Sequence, residues 1–342
     1  MNRFVFSNFA GKSTKSLLMS RTAFFKDMPP YAKLLVSVGF VLLSLIIFTV
    51  ISLVLSILVF PVKLDHLLDP LHNIKEQGVL QALNLMQLLS GIGTFIIPSF
   101  LLAYLMSENS FSFLKLNNKT AINSLILVVI MVFAMMPFIN WMVEMNGKMV
   151  LPHFLHGLEE WMKKSESESA ELTKYFLNVH STQALLFNVF MIALIPAIGE
   201  ELLFRGVLQR LFVEWTKNKH AAIFITAALF SALHMQFYGF FPRMLLGVLF
   251  GYLLIWSGSL WLPICGHFIN NASAVVLAYL YQTEATSIDP DKLGTDSQQW
   301  FLTLGSFVIM VGIMFLIHKI EMNRPHILAE DTIDSDNQTL PL

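Results

Sequence analysis

Three charged side chains interrupt an otherwise apolar run of the sequence. Residues 183–212 read QALLFNVFMIALIPAIGEELLFRGVLQRLF, and the charges within the run are Glu200, Glu201 and Arg205, with Arg210 near its end. At the centre of a membrane helix, each unpaired charge costs about 2.5–3.5 kcal/mol. A chain retains such charges where they pair with each other, face a wet cavity or take part in a reaction. This segment is therefore the first candidate for a functional site.

Helical geometry separates the three charges. Glu201 and Arg205 are four residues apart and share a helix face, so we expect an ion pair that lowers the cost of burying both. Glu200 lies about 100° around the helix from Glu201 and points elsewhere. Pro196 and Gly199, shortly before them, predict a kink or the close approach of another backbone. The prediction is an internal pair and one free carboxylate, that of Glu200.

Two later apolar segments also carry polar residues that suit one reaction. His234 ends one of these runs, and His267 and Asn271 share a helix face in the other. A carboxylate in an apolar site can act as a general base toward water, and a neighbouring histidine can help to hold and deprotonate that water. A second histidine and an asparagine amide supply hydrogen-bond donors for the oxyanion of a tetrahedral intermediate. The set contains what peptide hydrolysis inside a membrane requires.

The order of these motifs resembles that of one known family. Glu-Glu-x-x-x-Arg, Phe-x-x-x-His and His-x-x-x-Asn each lie on a predicted membrane helix of their own. In this they are similar to the CAAX proteases and bacteriocin-processing enzymes, also called Abi or CPBP proteins, whose eukaryotic members are the type II CAAX prenyl endopeptidases. The resemblance covers roughly residues 182–281 and keeps every motif position. The first three predicted spans and the tail lie outside it.

The resemblance implies an intramembrane endopeptidase and a role for each residue. Glu200 corresponds to the catalytic glutamate, and His234 to the histidine that joins it in activating water. His267 and Asn271 correspond to the pair that stabilises the oxyanion. Glu201 and Arg205 correspond to the ion pair that supports the catalytic residues in that family. The implied substrate is a membrane-associated or lipidated peptide or protein, and no cofactor is expected.

The composition indicates a membrane protein. Of the 342 residues, 55% are hydrophobic, and the mean hydropathy is +0.64. Only 13% are charged, about half of the ~25% usual in soluble domains. The net charge of -1 gives no indication of a nucleic-acid partner. A spanning helix needs about 20 mostly apolar residues. The segments that qualify are 34–60, 79–106, 121–143, 182–212, 220–238, 241–258, 262–281 and 300–318.

These segments predict an all-α fold, a polytopic integral membrane bundle of about eight transmembrane helices. One transmembrane domain is expected over 34–320, with its catalytic core at 182–281. The N-terminal segment 1–33 and the C-terminal tail 321–342 are predicted to be cytoplasmic. Lysine and arginine are enriched in 1–33, Lys319 and Arg324 follow the last apolar run, and acidic residues are enriched in the 282–299 loop. The expected location is a bacterial inner membrane, with membrane lipid and a membrane-associated substrate as partners.

Other functions remain open for the same residues. Glu200, His234 and His267 are also of types that bind zinc. Against a zinc site, the chain has no His-Glu-x-x-His motif, and Asn271 is a poor zinc ligand. A cysteine protease is disfavoured because Cys265 and His267 are two residues apart. A proton-coupled transporter or membrane binding protein also retains intramembrane glutamate and histidine, but no duplicated halves are evident. A polar cluster that only packs helices is the last alternative.

Overall fold

The computed structural model describes residues 23–286 and 292–324, and these residues form helices and no strand. The longer helices, labelled in chain order, are α1 (Pro30–Val59), α2 (Val79–Met106), α3 (Ile122–Ala134), α4 (Met136–Gly147), α5 (His156–Leu177), α6 (Thr182–Thr216), α7 (Lys219–Ala232), α8 (Phe240–Ser257), α9 (Trp261–Gln282) and α10 (Trp300–Met322). The shorter turns are Leu64–Leu68, Pro70–Asn73, Ser110–Phe113, His153–Leu155, Phe237–Gly239 and Ser297–Gln299. The predicted segments 1–33 and 321–342 lie largely outside the described residues, so the division into domains stays a prediction.

Among the described residues, six helices are long and apolar enough to cross a bilayer: α1, α2, α6, α8 with the turn before it, α9 and α10. α3 and α4 together make a seventh candidate, which is bent by 46°. The all-α polytopic fold is thus confirmed, and each predicted segment is helical. The segment predicted over 220–238 is shorter than expected, because α7 has 14 residues and extends only about 21 Å. This is less than the ~30 Å hydrocarbon core. The described residues therefore hold six or seven candidate spans, where about eight were predicted.

The bend between α3 and α4 follows from a proline. Pro137 is the second residue of α4, and it lacks the backbone N–H that would continue α3. Ser306 of α10 serves the backbone groups at this break. Its hydroxyl donates to the Ala134 carbonyl at 2.6 Å and accepts from the Phe138 N–H at 3.2 Å. The break is therefore satisfied by a neighbouring helix, as a membrane requires.

α6 carries Glu200 and Glu201 between two irregular stretches and Arg205 within the second of them. π-helical turns at Val189–Leu194 and Leu202–Gln209 flank its central part. Such turns are rare and occur frequently at functional sites. Pro196 lies at the start of the central part, and a Cβ on Gly199 would lie 2.8 Å from the Phe95 Cβ of α2. The close approach that the sequence allows at this point is present.

Small residues let α8 pack closely against α6 and α7. A Cβ on Gly247 would lie 2.9 Å from the Ala227 Cβ of α7, and one on Gly251 would lie 2.8 Å from Gln209 Oε1 of α6. The carbonyls of both glycines accept side-chain hydrogen bonds from α6. Arg205 donates to Gly247 at 3.2 Å, and Gln209 donates to Gly251 at 3.1 Å. This contact fixes the side of α6 from which Arg205 projects.

α5 is an amphipathic helix outside the candidate spans, and it packs beside the connection between α7 and α8. The ring of Trp161 lies 5.4 Å from that of Phe237 in this connection. Near the start of α5, Glu159 accepts from Lys163 at 2.7 Å and from the Leu151 N–H at 3.3 Å. The hydrogen bond from the Lys163 ammonium holds the pKa of the Glu159 carboxyl below its ordinary value. These contacts fix the chain that leads from α4 into α5.

Candidate active site

Glu200 lies on the central part of α6, and its side chain is 12% exposed. Its Oε2 atom is 3.9 Å from His234 Nε2 and 3.8 Å from His267 Nε2. These distances are too long for direct hydrogen bonds, so a water molecule is the group to consider between the three side chains. Oε2 is buried and has no hydrogen-bond partner among the described residues. Two imidazole rings from different parts of the chain therefore face one carboxylate oxygen.

Glu201, the next residue, is fully buried and has two partners. Its Oε1 accepts from Arg205 Nη1 at 2.9 Å and from His267 Nδ1 at 2.8 Å. The expected ion pair between Glu201 and Arg205 is present, and the two adjacent glutamates point to different partners. The bond to His267 was not predicted, since it joins α6 to α9 across 66 residues of sequence. Glu201 therefore orients the histidine that faces Glu200.

Arg205 is fully buried, and several groups compensate its charge. Besides Glu201, it donates to the Gly247 carbonyl at 3.2 Å. Its guanidinium carbon lies 4.6 Å from the Phe230 ring centroid and 5.7 Å from that of Phe250. Aromatic faces stabilise a cation removed from water. A carboxylate, a carbonyl and two rings thus offset the burial of this charge.

The same two rings contact the histidines, and sequence analysis gave neither of them a role. Phe230 meets His234 edge to face at 4.9 Å, and Phe250 stacks on His267 at 5.5 Å. Phe230 stands in the Phe-x-x-x-His motif, so its spacing was a usable signal. Phe250 is one apolar residue among many on α8, and only the packing of α8 against α9 identifies it. Both rings fix the orientation of the imidazoles.

His234 lies two residues beyond the end of α7, outside any helix. Its Nδ1 is 2.7 Å from the Phe230 carbonyl, which leaves Nε2 directed toward Glu200. His234 therefore meets residues from the middle of α6.

The hydrogen-bond partners of the histidines determine what their Nε2 atoms can do. The Phe230 carbonyl and the Glu201 carboxylate only accept, so each imidazole carries a hydrogen on Nδ1. When neutral, each ring then presents Nε2 toward Glu200 as an acceptor, and ionised Glu200 is an acceptor as well. Three acceptors cannot bond to one another. The site needs a donor among them, either a water molecule or a proton on one group.

Asn271 lies one helical turn after His267 on α9, as the spacing predicts, but it faces other partners. Its Nδ2 donates to the Ile192 carbonyl of α6 at 3.5 Å, and its Oδ1 accepts from Asn270 Nδ2 at 3.2 Å. The structure brings five of the six predicted site residues into direct or near contact. Asn271 stands at the edge of this group, against the π-helical turn of α6.

The geometry around Glu200 also bears on the zinc alternative. Ligand atoms on a tetrahedral zinc ion lie about 2.0–2.1 Å from the metal and hence roughly 3.3 Å from each other. The two nitrogens lie 3.8 and 3.9 Å from the Glu200 oxygen, so the ligands would have to draw together. Within the part of the chain that the structure describes, no three His, Cys, Asp or Glu residues are grouped to hold a metal ion.

Comparisons with known proteins point to one family. The sequence profile described as type II CAAX prenyl endopeptidase Rce1-like matches residues 182–273, which include all six site residues. The chain is also 30% identical over 89 residues to the uncharacterized protein YpbD of Bacillus subtilis (strain 168). That match covers 25% of the chain and 42% of YpbD, less than half the length of this relative. No solved structure matches the chain.

Proposed function

We propose that this chain, which belongs to the Rce1-like CAAX protease family over residues 182–273, is an intramembrane endopeptidase that cleaves membrane-associated or lipidated substrates. The family resemblance predicted from the three motifs is confirmed. The proposal for this site depends on one observation: two imidazole Nε2 atoms lie 3.9 and 3.8 Å from one buried oxygen of Glu200. A water molecule held among these three groups would lie directly beside a base.

In the proposed reaction, Glu200 takes a proton from this water as the water oxygen attacks the peptide carbonyl carbon. His234 holds the water through Nε2. A carbon–oxygen bond forms, and the carbonyl electrons move onto its oxygen as an oxyanion. When this intermediate collapses, the carbon–nitrogen bond breaks and Glu200 returns its proton to the leaving amine. The substrate, one water and two side chains account for every atom and proton.

We assign stabilisation of the oxyanion to His267 and Asn271. His267 already donates from Nδ1 to Glu201, so it can donate from Nε2 only as an imidazolium. The Glu201 carboxylate stabilises this cation, and Arg205 offsets the charge that Glu201 adds. Asn271 contributes its amide N–H, since its bond to the Ile192 carbonyl is long, at 3.5 Å, and easily given up. Glu201 thus acts through His267.

The proposed setting is a bacterial inner membrane, with both termini in the cytoplasm as the distribution of lysine and arginine predicts. The candidate spans make the chain an integral membrane protein, so lipid is one partner. The other is a membrane-associated peptide or protein. We expect no cofactor and no nucleic acid.

A cleavage assay in liposomes tests the proposal. The probe is a fluorescence-quenched peptide ending in a farnesylated Cys-a-a-X sequence, the substrate class that the matched family's name gives, together with the same peptide lacking the lipid. We expect Glu200→Gln to lower turnover by about 10²–10⁴-fold, because a general base contributes this much. The control Glu214→Gln changes a glutamate on the same helix that pairs with Lys33 at 3.1 Å, and it should leave turnover unchanged. Full turnover by Glu200→Gln would contradict the mechanism.

Three further measurements separate the alternatives. Metal analysis of the active preparation would overturn the water mechanism if it found one tightly bound zinc ion per chain. A proton-flux measurement on the same liposomes would favour a transporter if flux occurred without cleavage. The membrane peptidome of a strain lacking the protein, compared with that of its parent, identifies the natural substrate. Identical peptidomes together with uncleaved probe peptides would exclude a protease.

A further inference from the structure

His234 is held by a short connection and not by a helix. We call residues 233–239 the His234 loop. Met235 in this loop has a φ of 55°, a left-handed conformation that residues other than glycine rarely adopt. Such a backbone persists where its surroundings fix it. The position of His234 relative to Glu200 therefore depends on what holds the loop.

Asn146, in the last turn of α4, binds this region through its side-chain amide. Its Nδ2 donates to the Phe237 carbonyl at 3.1 Å, and its Oδ1 accepts from the Phe241 N–H at 2.9 Å. Phe241 lies in the first turn of α8, where backbone N–H groups have no partner within the helix. Asn146 is only 5% exposed, so water does not replace these bonds easily.

Other side chains hold the loop from more exposed positions. On α5, Ser165 donates to the Met235 carbonyl at 3.3 Å and Glu166 accepts from the Tyr238 N–H at 3.3 Å. On α8, Arg243 donates to the Gln236 side chain at 2.6 Å. Arg243 also donates to the Gln236 carbonyl at 3.2 Å. Asn146 differs from these residues because it is buried and bonds backbone groups of both the loop and α8. It also spans the junction between the loop and α8.

We propose that Asn146 is a positioning residue, which holds the His234 loop so that His234 Nε2 faces Glu200. This inference rests on the proposed endopeptidase function. Asn146 belongs to α4, outside the segment 182–273 that matches the protease family. A helix from the part of the chain outside that match would thus determine the geometry of the catalytic histidine. His234 Nε2 lies 3.9 Å from Glu200, and a displacement of a catalytic group by about 1 Å lowers a rate by up to about 10²-fold.

The test measures kcat and KM for the farnesylated peptide in liposomes. Asn146→Ala should lower kcat about 10- to 100-fold while KM changes less than about twofold, because the loop moves and the substrate contacts stay. Asn140→Ala is the matched control. Asn140 lies on the same helix and donates to the Leu293 carbonyl at 3.0 Å, away from the loop, so its removal should leave kcat unchanged. A parent-like kcat for Asn146→Ala, or an equal loss for Asn140→Ala, would overturn the proposal.

Asn146→Asp keeps the test decisive if Asn146→Ala does not fold. An ionised aspartate of the same size still accepts from the Phe241 N–H but cannot donate to the Phe237 carbonyl. It should lower kcat at constant KM, and an unchanged kcat would refute the proposed role. Glu200→Gln in the same assay separates the two proposals. If Glu200→Gln is inactive and Asn146→Ala is fully active, only the role of Asn146 is lost, whereas an active Glu200→Gln removes the proposed function itself.

Discussion

α1 and α6 are both long apolar helices, but they bury different kinds of side chain. The buried residues of α1 are Leu34, Ser37, Ser52 and Ser56. The buried polar residues of α6 are Asn188, Glu200, Glu201, Arg205 and Gln209. Because lipid tails are as apolar as leucine, a bilayer gives little reason to bury aliphatic side chains between helices. The polar residues that a membrane helix buries therefore tell more about its role than its hydropathy does.

Ser37 of α1 and Glu201 of α6 satisfy their buried polar groups in different ways. Ser37 donates to the Lys33 carbonyl of its own helix at 2.8 Å, so it needs no partner elsewhere. Glu201 instead depends on the side chains of other residues. It takes Arg205 from the next turn and His267 from another helix. A buried serine on an apolar helix thus indicates packing, whereas a buried charge indicates a site assembled from several helices.

The largest effect on stability is expected at the buried ion pair. Arg205→Ala leaves Glu201 as a buried charge without its cation, which should lower the free energy of unfolding by about 3–5 kcal/mol. Thermal unfolding in detergent and the yield of purified protein measure this loss. A variant with normal yield and melting temperature would show that the pair is not needed for folding.

A double variant distinguishes the structural role of the Glu201–Arg205 pair from its role in catalysis. Glu201→Leu combined with Arg205→Met removes both charges, and an apolar replacement of a buried pair is often neutral for stability. We expect the double variant to regain most of the lost stability but not peptide cleavage, because His267 then lacks its partner on Nδ1. Recovery of cleavage as well would show that Glu201 does not act through His267.

Much of the difference between α1 and α6 was predictable from the spacing of residues along each helix. The Glu201–Arg205 pair follows from two residues four apart, and the separate direction of Glu200 follows from the helical rotation of about 100° per residue. The positions of the helices follow from long apolar runs. Five of the six predicted site residues were selected because charged and imidazole side chains are rare inside such runs, and Asn271 was selected by its spacing from His267.

The remaining features depend on contacts between helices, which spacing along one helix does not reveal. The bond from His267 to Glu201 requires that α9 and α6 lie side by side at one depth. The early end of α7 was missed because apolar residues continue past Ala232, so hydropathy shows no boundary there. Nothing in the sequence indicated the role of Asn146, because its partners are backbone groups more than 90 residues away.

A smaller effect is expected where α8 packs against α7. Gly247→Ala would place a Cβ 2.9 Å from the Ala227 Cβ and 3.0 Å from its Cα, so backbone must shift. Overpacking of this kind lowers the free energy of unfolding by about 1–3 kcal/mol. The matched variant on α1 is Gly39→Ala, whose new Cβ meets nothing within 4 Å. It should leave stability unchanged or raise it by up to about 1 kcal/mol, because alanine favours a helix over glycine. Equal melting temperatures for the two variants would contradict the close packing of α8.

The smallest effect on stability is expected for two serines of α1, which differ in their hydrogen-bond partners. Ser56 donates to the Ala82 carbonyl of α2 at 3.1 Å, whereas Ser37 donates within its own helix. Ser56→Ala removes a hydrogen bond between helices, which in membranes is worth about 0.6 kcal/mol on average. Ser37→Ala leaves a carbonyl that already accepts a bond in the helix ladder, so its effect should be near zero. Neither change should alter kcat, because α1 contributes no residue to the candidate site. A loss of cleavage in Ser56→Ala with an unchanged melting temperature would show that α1 acts on the site and would remove the contrast with α6.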